Sequence, residues 1–149
     1  MQKPRKGYVR RSSPRLRSGL EDRIKEDLEK KGIKYEYESI KYKYIKEQCP
    51  NCGTIIKMGT YTPDFIIPRT TGIRLVVESK GRFTSSDRTK MQRVKRDNPT
   101  EDIRFVFQRD QIIRKGSTTR YGAWATKNGF QYSIGEEVPK EWLKDAVQK

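Results

Sequence analysis

The chain has 149 residues, with 34 lysines and arginines against 19 aspartates and glutamates, no histidine, and a formal net charge of +15. This length fits a single domain, and so large a positive charge indicates a polyanionic partner, most simply nucleic acid. Without histidine there is no Ser-His-Asp or Cys-His catalytic system and no histidine-ligated metal. No apolar run approaches the roughly 20 residues of a membrane span, so we expect no membrane partner and a cytoplasmic location.

The N-terminal part is predicted to be a basic arm followed by a helix. Residues 1–17 carry seven lysines and arginines and no acidic residue, a composition typical of a disordered arm. A helix is predicted from Ser18 to Gly32 because apolar residues recur there every four positions, at Leu20, Ile24 and Leu28. Alternating apolar residues between Ile33 and Tyr44 then predict half-buried strand, which the sequence CPNCG at 49–53 interrupts.

The remaining elements alternate between strands and helices. Residues 61–67 and 73–80 predict two strands around the turn PRTTG. They are followed by a basic helix at 86–97 ended by Pro99, a strand at 103–107, a helix at 117–128 closed by Gly129, a strand at 130–134 and a short helical end at 139–143. This order predicts an α/β fold over residues 18–149, with a mixed central sheet flanked by helices.

Pro63-Asp64 and Glu78-Ser79-Lys80 lie on the two strands of the predicted hairpin. Side chains alternate across a strand, so Glu78 and Lys80 share one face. A turn near Thr70 would set Asp64 opposite Val76 and diagonal to Glu78, within reach on that face. Carboxylates are typical ligands of Mg²⁺, and Mn²⁺ can substitute for it. A lysine beside them can orient the attacking water or neutralise the negative charge that develops on the phosphate. This PD…(D/E)xK pattern predicts metal-dependent hydrolysis of phosphodiesters.

The acidic candidates also have structural alternatives. An ExK sequence on a strand is commonly a solvated ion pair. Glu78, however, follows Leu75-Val76-Val77, where an unpaired charge would be costly, and Asp64 lies in an otherwise apolar strand. Glu21 fits a capping box with Ser18, and on spacing alone this structural role is favoured.

Several stretches within residues 17–143 together carry a resemblance to a known family. They are SGLEDRIKEDLEKKGIKYEYE, YTPDFIIP, VVESKG, SSDRTKMQRVKRDNPTEDIRFVF, TTRYGAWATKNGF and VPKEWL. In order and spacing they resemble the phage endonuclease I family, Holliday-junction-resolving enzymes of short-tailed phages. The resemblance implies a restriction-endonuclease-like core with Asp64 and Glu78 as metal ligands and Lys80 as the catalytic lysine. We expect the Ser79 backbone carbonyl to be a further metal ligand.

The resemblance also implies a homodimer that exchanges its N-terminal helix and strand. Glu21 would then be a further acidic ligand and catalytic residue, serving the site of the partner subunit. Two such sites would cut two strands of a branched DNA in the cytoplasm of a phage-infected host cell. The segment at about 44–60 would bridge the exchanged halves, and here it is longer than the family pattern and contains CPNCG.

Cys49 and Cys52 allow two interpretations. Two cysteines in an intracellular protein are usually reduced thiols, and a plain turn with free thiols is the favoured reading. The alternative is a zinc knuckle, which supplies two of the four ligands that zinc takes. With no histidine and no other cysteine in the chain, such a zinc ion would have to be shared between two chains.

The leading functional prediction is a structure-selective endonuclease for four-way junctions and other branched DNA. The predicted DNA contacts are basic residues of the arm and of the second basic segment: Arg10, Arg11, Arg15, Arg17, Arg82, Arg88, Lys90, Arg93 and Lys95. One alternative is a sequence-specific nicking or homing endonuclease on the same core. Another is a non-catalytic nucleic-acid-binding protein with a zinc knuckle, against which the spacing of Asp64, Glu78 and Lys80 argues.

Overall fold

The computed structural model describes residues 19–149, and the predicted basic arm lies outside that range. The described helices are α1 (Gly19–Lys30), α2 (Ser85–Asp97) and α3 (Tyr121–Lys127). The described strands are β1 (Glu36–Tyr37), β2 (Tyr42–Gln48), β3 (Ile55–Tyr61), β4 (Phe65–Ile67), β5 (Leu75–Lys80), β6 (Asp102–Phe107) and β7 (Gln131–Ile134). A 3₁₀ helix covers Lys140–Leu143. None of the described helices is long and apolar enough to cross a membrane.

Five strands form the central sheet, in the order β1-β4-β5-β6-β7. β1, β4 and β5 pair antiparallel, whereas β5, β6 and β7 pair parallel. The two parallel connections run through α2 and α3, since parallel neighbours need a crossover segment. The sheet is therefore mixed and flanked by helices, which confirms the predicted α/β class.

Apolar side chains cover both faces of this sheet. On one face the predicted stripe of α1 (Leu20, Ile24 and Leu28) packs with Leu75 and Val77 of β5. On the other face Val76 joins a cluster with α2 and α3, in which the ring of Phe83 contacts several aromatic rings, those of Phe105, Phe107, Tyr121 and Trp124. Because the pleat alternates, Glu78 and Lys80 continue the row of Val76 and leave the sheet beside α2.

The register of the β4–β5 hairpin differs from the prediction. Phe65 pairs with Val77 and Ile67 with Leu75, so one more step places Asp64 level with Glu78 rather than with Val76. The turn is longer than predicted, because Gly72 takes a left-handed φ of 87° and the strand begins only at Leu75. The corrected register brings the two carboxylates closer together than the sequence indicated.

The predicted strand between Ile33 and Tyr44 is in fact two strands of different sheets. Glu38 has a φ of 48°, a left-handed conformation that ends β1 after two residues and turns the chain out of the central sheet. β2 then pairs with β3 in a separate hairpin, with Tyr42 level with Tyr61. In the described chain the segment at about 44–60 forms this hairpin, with CPNCG at its tip. Its role as a bridge between subunits stays a prediction.

The observed start agrees with the prediction for α2 but not for α3. α2 starts as expected, since Thr84 and Asp87 form a capping box, and it ends before Pro99. α3 starts at Tyr121 rather than at Ser117 or Thr118. The Ser117 hydroxyl instead accepts a 3.1 Å hydrogen bond from the Thr119 amide and stabilises a turn.

Candidate active site

The central sheet ends at an open cleft of about 770 Å³, where three of the segments that line it carry the predicted site residues. β5 contributes Glu78, Ser79 and Lys80, the residue before β4 is Asp64, and the first turn of α1 contributes Glu21. The carboxylates are buried: Glu21 is 7% exposed, Asp64 7% and Glu78 5%. Charged groups are rarely buried to this degree without a positive partner. The structure therefore brings the predicted acidic residues to one place.

Asp64 and Glu78 are held in fixed positions by neighbouring donors. The backbone N–H and the hydroxyl of Ser79 both donate to Asp64 Oδ2, at 2.9 and 2.7 Å. The Tyr61 hydroxyl donates to Glu78 Oε2 at 2.6 Å, and the Asp64 amide approaches the same oxygen at 3.4 Å. Each carboxylate is thus oriented while part of its surface faces the cleft.

Electrostatics at this pair favour a bound cation. Burial, and then the charge of Asp64, raise the pKa of the Glu78 carboxyl to about 8, although Lys80 acts in the opposite direction. Burial raises the pKa of Asp64 to about 6, against the lowering effect of the Ser79 hydrogen bonds. A divalent cation would stabilise the charged forms of both groups, and carboxylate oxygens are the ligands that Mg²⁺ and Mn²⁺ prefer. The residues present therefore fit such an ion.

Lys80 lies between two carboxylates at the edge of the cleft. Its Nζ is 3.4 Å from Glu78 Oε1 and 3.6 Å from Asp87 Oδ1. Burial alone would lower the pKa of the ammonium, but the charges of Glu78, Asp87 and Asp64 together raise it. Lys80 is therefore positively charged beside the acidic pair, on the face that strand alternation predicted.

Glu21 reaches the cleft from α1 of the same chain. One carboxylate oxygen each of Glu21, Glu38 and Asp64 lies within 4.8 Å of the other two, and the Tyr37 hydroxyl donates to Glu21. The capping partner Ser18 lies outside the described residues. The single chain thus forms the acidic cluster by itself, and exchange of α1 and β1 between subunits stays a prediction.

Three cleft residues that act on the predicted acidic residues and lysine were not predicted. Glu38 joins the acidic group because its left-handed backbone turns the side chain toward it. The apolar periodicity of a strand does not predict such a backbone conformation. Tyr61 orients Glu78 from β3, although its place in the sequence indicated only an apolar strand. Asp87 contacts Lys80, and its capping-box spacing from Thr84 was a visible signal for its position at the start of α2.

The predicted DNA contacts fall into different settings. Arg82 and Lys90 line the cleft, and Arg93 lines an adjoining one. Arg88 donates to the carbonyls of Phe83 and Ile113, and Lys95 donates to that of Gly129. The four arginines of the arm lie outside the described residues. Of the predicted DNA contacts that the structure describes, Arg82, Lys90 and Arg93 are therefore the ones that line the clefts.

Cys49 and Cys52 are not among the residues that line the cleft. Both are free thiols at the tip of the β2–β3 hairpin, where Cys52 is exposed. The Cys52 sulfur lies 3.1 Å from the Thr54 hydroxyl. Hydrogen bonds from the Thr54 side chain and backbone, and from Cys49, lower the pKa of Cys52 to about 7.

Comparison with known proteins identifies the family. Endonuclease I of Escherichia phage T7 is 38% identical over 131 residues, which cover 87% of this chain and 79% of that protein. Endodeoxyribonuclease 1 of Enterobacteria phage T3 is 36% identical over 119 residues, which cover 79% of this chain and 70% of that protein. The family model described as Phage endonuclease I matches residues 5–149, and the chain belongs to this family.

Proposed function

We propose that this protein is a metal-dependent DNA endonuclease that resolves four-way junctions and other branched DNA. The observation that carries the proposal is the pair of buried carboxylates, Asp64 and Glu78, beside the partly buried Lys80 at the open end of the sheet. The relatives in phages T7 and T3 are named as an endonuclease and an endodeoxyribonuclease. A net charge of +15 independently favours a nucleic-acid substrate.

Each residue of the cleft has a distinct role in this proposal. Asp64 and Glu78 hold the cation, with Glu21 and the Ser79 carbonyl as further ligands. The chemistry that bound Mg²⁺ or Mn²⁺ supplies is Lewis-acid activation of water and neutralisation of phosphate charge. Lys80 donates to the attacking water or to the phosphate as negative charge develops, and Asp87 holds the Lys80 ammonium in place. Tyr61 and Ser79 keep both carboxylates oriented, so little reorganisation is needed during the reaction.

The charged groups around the cleft give the DNA backbone a path across the protein. Arg82 and Lys90 lie beside the acidic group, and a second cleft of about 510 Å³ continues along the start of α2. That second cleft is lined by basic and hydroxyl side chains, which are types that contact phosphates in DNA complexes, namely Lys46, Thr60, Ser85, Ser86, Thr89, Lys90 and Arg93. Such side chains would contact the phosphate backbone of the DNA, and contacts of this kind position DNA without reading its base sequence.

The preference for branched DNA rests on family membership and on symmetry. Cutting two strands of a junction in a paired fashion requires two sites, and a homodimer supplies them. In the exchanged form that the resemblance implies, Glu21 would complete the site of the partner subunit. The described chain places Glu21 beside its own Asp64, so both arrangements give the same set of residues at each site.

The test is incubation with a synthetic four-way junction and with a linear duplex of the same arm sequences. We expect Mg²⁺-dependent cleavage of the junction, no cleavage with a chelator, and much slower cleavage of the duplex. Cutting of both DNAs at one sequence would favour a sequence-specific nicking or homing endonuclease. Binding without cleavage at any divalent cation concentration would favour a non-catalytic nucleic-acid-binding protein.

A further inference from the structure

The hairpin tip is a tight turn that carries both cysteines of the chain. The Cys49 amide donates to the Thr54 carbonyl at 2.8 Å, and the Gly53 amide donates to the Cys49 carbonyl at 2.9 Å. Gly53 has a φ of 74°, a conformation that glycine adopts without steric cost. The turn spans Cys49 to Thr54, so both free thiols lie on one tight turn at the end of the hairpin.

This pair could supply two of the four ligands of a structural zinc ion. Structural zinc takes four ligands in tetrahedral geometry, and cysteine and histidine are its usual ones. The whole chain has two cysteines and no histidine. In the part of the chain that the structure describes, the one group of three or more clustered ligating side chains is Glu21, Glu38 and Asp64, in the cleft. Carboxylates of the described residues therefore do not complete the thiol pair.

The strand next to the knuckle exposes apolar side chains. Ile55 is 51% exposed, Ile56 58% and Met58 47%. At its base the hairpin is anchored by buried tyrosines, Tyr42, Tyr44 and Tyr61. A two-stranded hairpin is at best marginally stable alone, and contiguous exposed apolar side chains indicate a surface that another chain covers. The apolar surface and the incomplete ligand set coincide at the same tip.

The charges at the tip favour a second copy of this chain as the partner. Residues 45–58 contain Lys46, Lys57 and Glu47, a net charge of +1 on a chain whose total is +15. Two tips together would carry about +2, and a zinc ion with four thiolates carries −2. Two identical copies related by a two-fold axis also bring two identical thiol pairs together. The tip is thus a region where two copies of this basic protein meet without net repulsion.

We propose that Cys49 and Cys52 form half of a Cys₄ zinc site that the same two residues of a second copy of this chain complete. The four thiolates are the same whether each hairpin closes within its own chain or exchanges strands at the tip. The site lies outside the cleft and does not depend on the nuclease activity. Its effect is to join two bodies by their hairpins, each about 20 Å long from the rise per strand residue.

The experiment measures metal content and mass of the full chain, purified with a reductant, without chelator and from zinc-supplemented cells. We expect one zinc per two chains, and native mass spectrometry should show two chains with one zinc ion. Titration of the metal-free protein with Co²⁺ should saturate at one cobalt per two chains, with the charge-transfer intensity of four thiolates. Zinc in Cys52→Ser should fall to less than a tenth of the wild-type content.

A matched pair of isoleucine variants tests the apolar part of the interface. Ile56 and Ile73 are equally exposed, at 58% and 57%, but Ile73 lies in the β4–β5 turn. Ile56→Ser should lose zinc to a competing chelator at least tenfold faster than the wild type, and Ile73→Ser should match the wild type. Absence of zinc from the wild type, saturation at one cobalt per chain, or full zinc content in Cys52→Ser would each overturn the proposal. Because the cobalt titration uses the wild-type chain, it decides the question even if a variant fails to fold.

Discussion

The cleft and the hairpin tip both carry side chains of the types that hold metal ions, but the two sets are built in opposite ways. In the cleft, oxygen ligands are buried at the end of a five-stranded sheet and held by Ser79 and Tyr61. At the tip, sulfur ligands lie on an exposed two-stranded hairpin and are held only by the bonds of a tight turn. One chain brings the first set together, whereas the zinc site that we propose at the tip needs a second chain.

This difference indicates what would stabilise a bound metal ion at each place. Buried carboxylates carry a desolvation cost that a cation relieves, so the cleft is oriented before metal binds. The exposed thiols carry little such cost, and their affinity for metal depends on bringing four of them together. Substitutions in the cleft should therefore change chemistry more than assembly, and substitutions at the tip should change assembly more than chemistry.

The largest expected effect is the loss of cleavage when a buried carboxylate is neutralised. Asp64→Asn and Glu78→Gln should each lower the rate of junction cleavage on the order of 1000-fold or more, because both remove a cation ligand worth several kcal/mol. Binding to the junction, measured by gel shift in Ca²⁺, should stay within about twofold, because phosphate contacts hold the DNA.

The control for this comparison is Asp22→Asn, an exposed change in the same turn of α1 as Glu21. It should cleave at the wild-type rate. Cys52→Ser should likewise nick a single strand at the wild-type rate. Cleavage retained in purified Asp64→Asn would remove the assignment of the cleft as the active site.

Smaller effects on the cleavage rate are expected when Lys80 is replaced and when it loses its partner Asp87. Lys80→Met should reduce the cleavage rate by roughly 100-fold or more, as loss of a general acid–base or charge-stabilising group does. Asp87→Asn keeps the capping geometry but removes the charge 3.6 Å from the Lys80 ammonium, so we expect a loss of about tenfold and a pH–rate profile shifted to lower pH.

Thr84→Ala is the matched variant, because it removes the side-chain cap of α2 without touching Lys80. It should lower the free energy of unfolding by about 1 kcal/mol and leave the pH–rate profile in place. If Thr84→Ala and Asp87→Asn shifted the profile equally, Asp87 would act only through the helix.

Mixed subunits connect the two regions, because the hairpin decides which chain supplies Glu21. The family resemblance implies exchange, and on that basis a co-refolded mixture of Glu21→Ala and Lys80→Ala should contain one intact site per heterodimer. That mixture should nick one strand of a junction, whereas each variant alone should not. If heterodimers form by native mass spectrometry and no nicking occurs, each site is built within one chain, as the described hairpin arranges it.

Periodicity and local chemistry were sufficient to predict most elements of this fold. The stripe of α1 and the alternation within β5 are local, and they placed Lys80 and Glu78 on one face. The register of β4 against β5 was wrong because it depends on the length of a turn. The left-handed φ of Gly72 and the late start at Leu75 are not encoded in strand periodicity.

The remaining cleft residues required the three-dimensional structure. Tyr61 and Glu38 come from segments that periodicity described as continuous strand, and only the break after β1 turns Glu38 toward Asp64. Glu21 was favoured as a capping residue on spacing, and its nearness to Asp64 results from packing of α1 on β5. Contacts between distant segments cannot be read from the spacing within one of them.

A dependence of metal-free stability on pH separates the buried ligands from the exposed ones. Burial raises the folded-state pKa of Asp64 to about 6 and that of Glu78 to about 8, above the values of about 4 in the unfolded chain. Between these values the folded state binds more protons, so the free energy of unfolding falls as pH rises from about 4 to about 8. In chelator, Glu78→Gln should therefore be more stable than the wild type at pH 8, on the order of 2–4 kcal/mol, and nearly equal to it at pH 4.

Urea unfolding at both pH values measures this difference in stability, and Glu47→Gln on the exposed hairpin is the control that should show none. Adding Mg²⁺ should stabilise the wild type at pH 8 and leave Glu78→Gln nearly unchanged, since the variant lacks the ligand whose charge the ion offsets. Equal stability of the wild type and Glu78→Gln at pH 8 in chelator would show that the Glu78 carboxylate pays no desolvation cost in the cleft. The cleft and the hairpin tip would then differ only in the chemistry of their ligands.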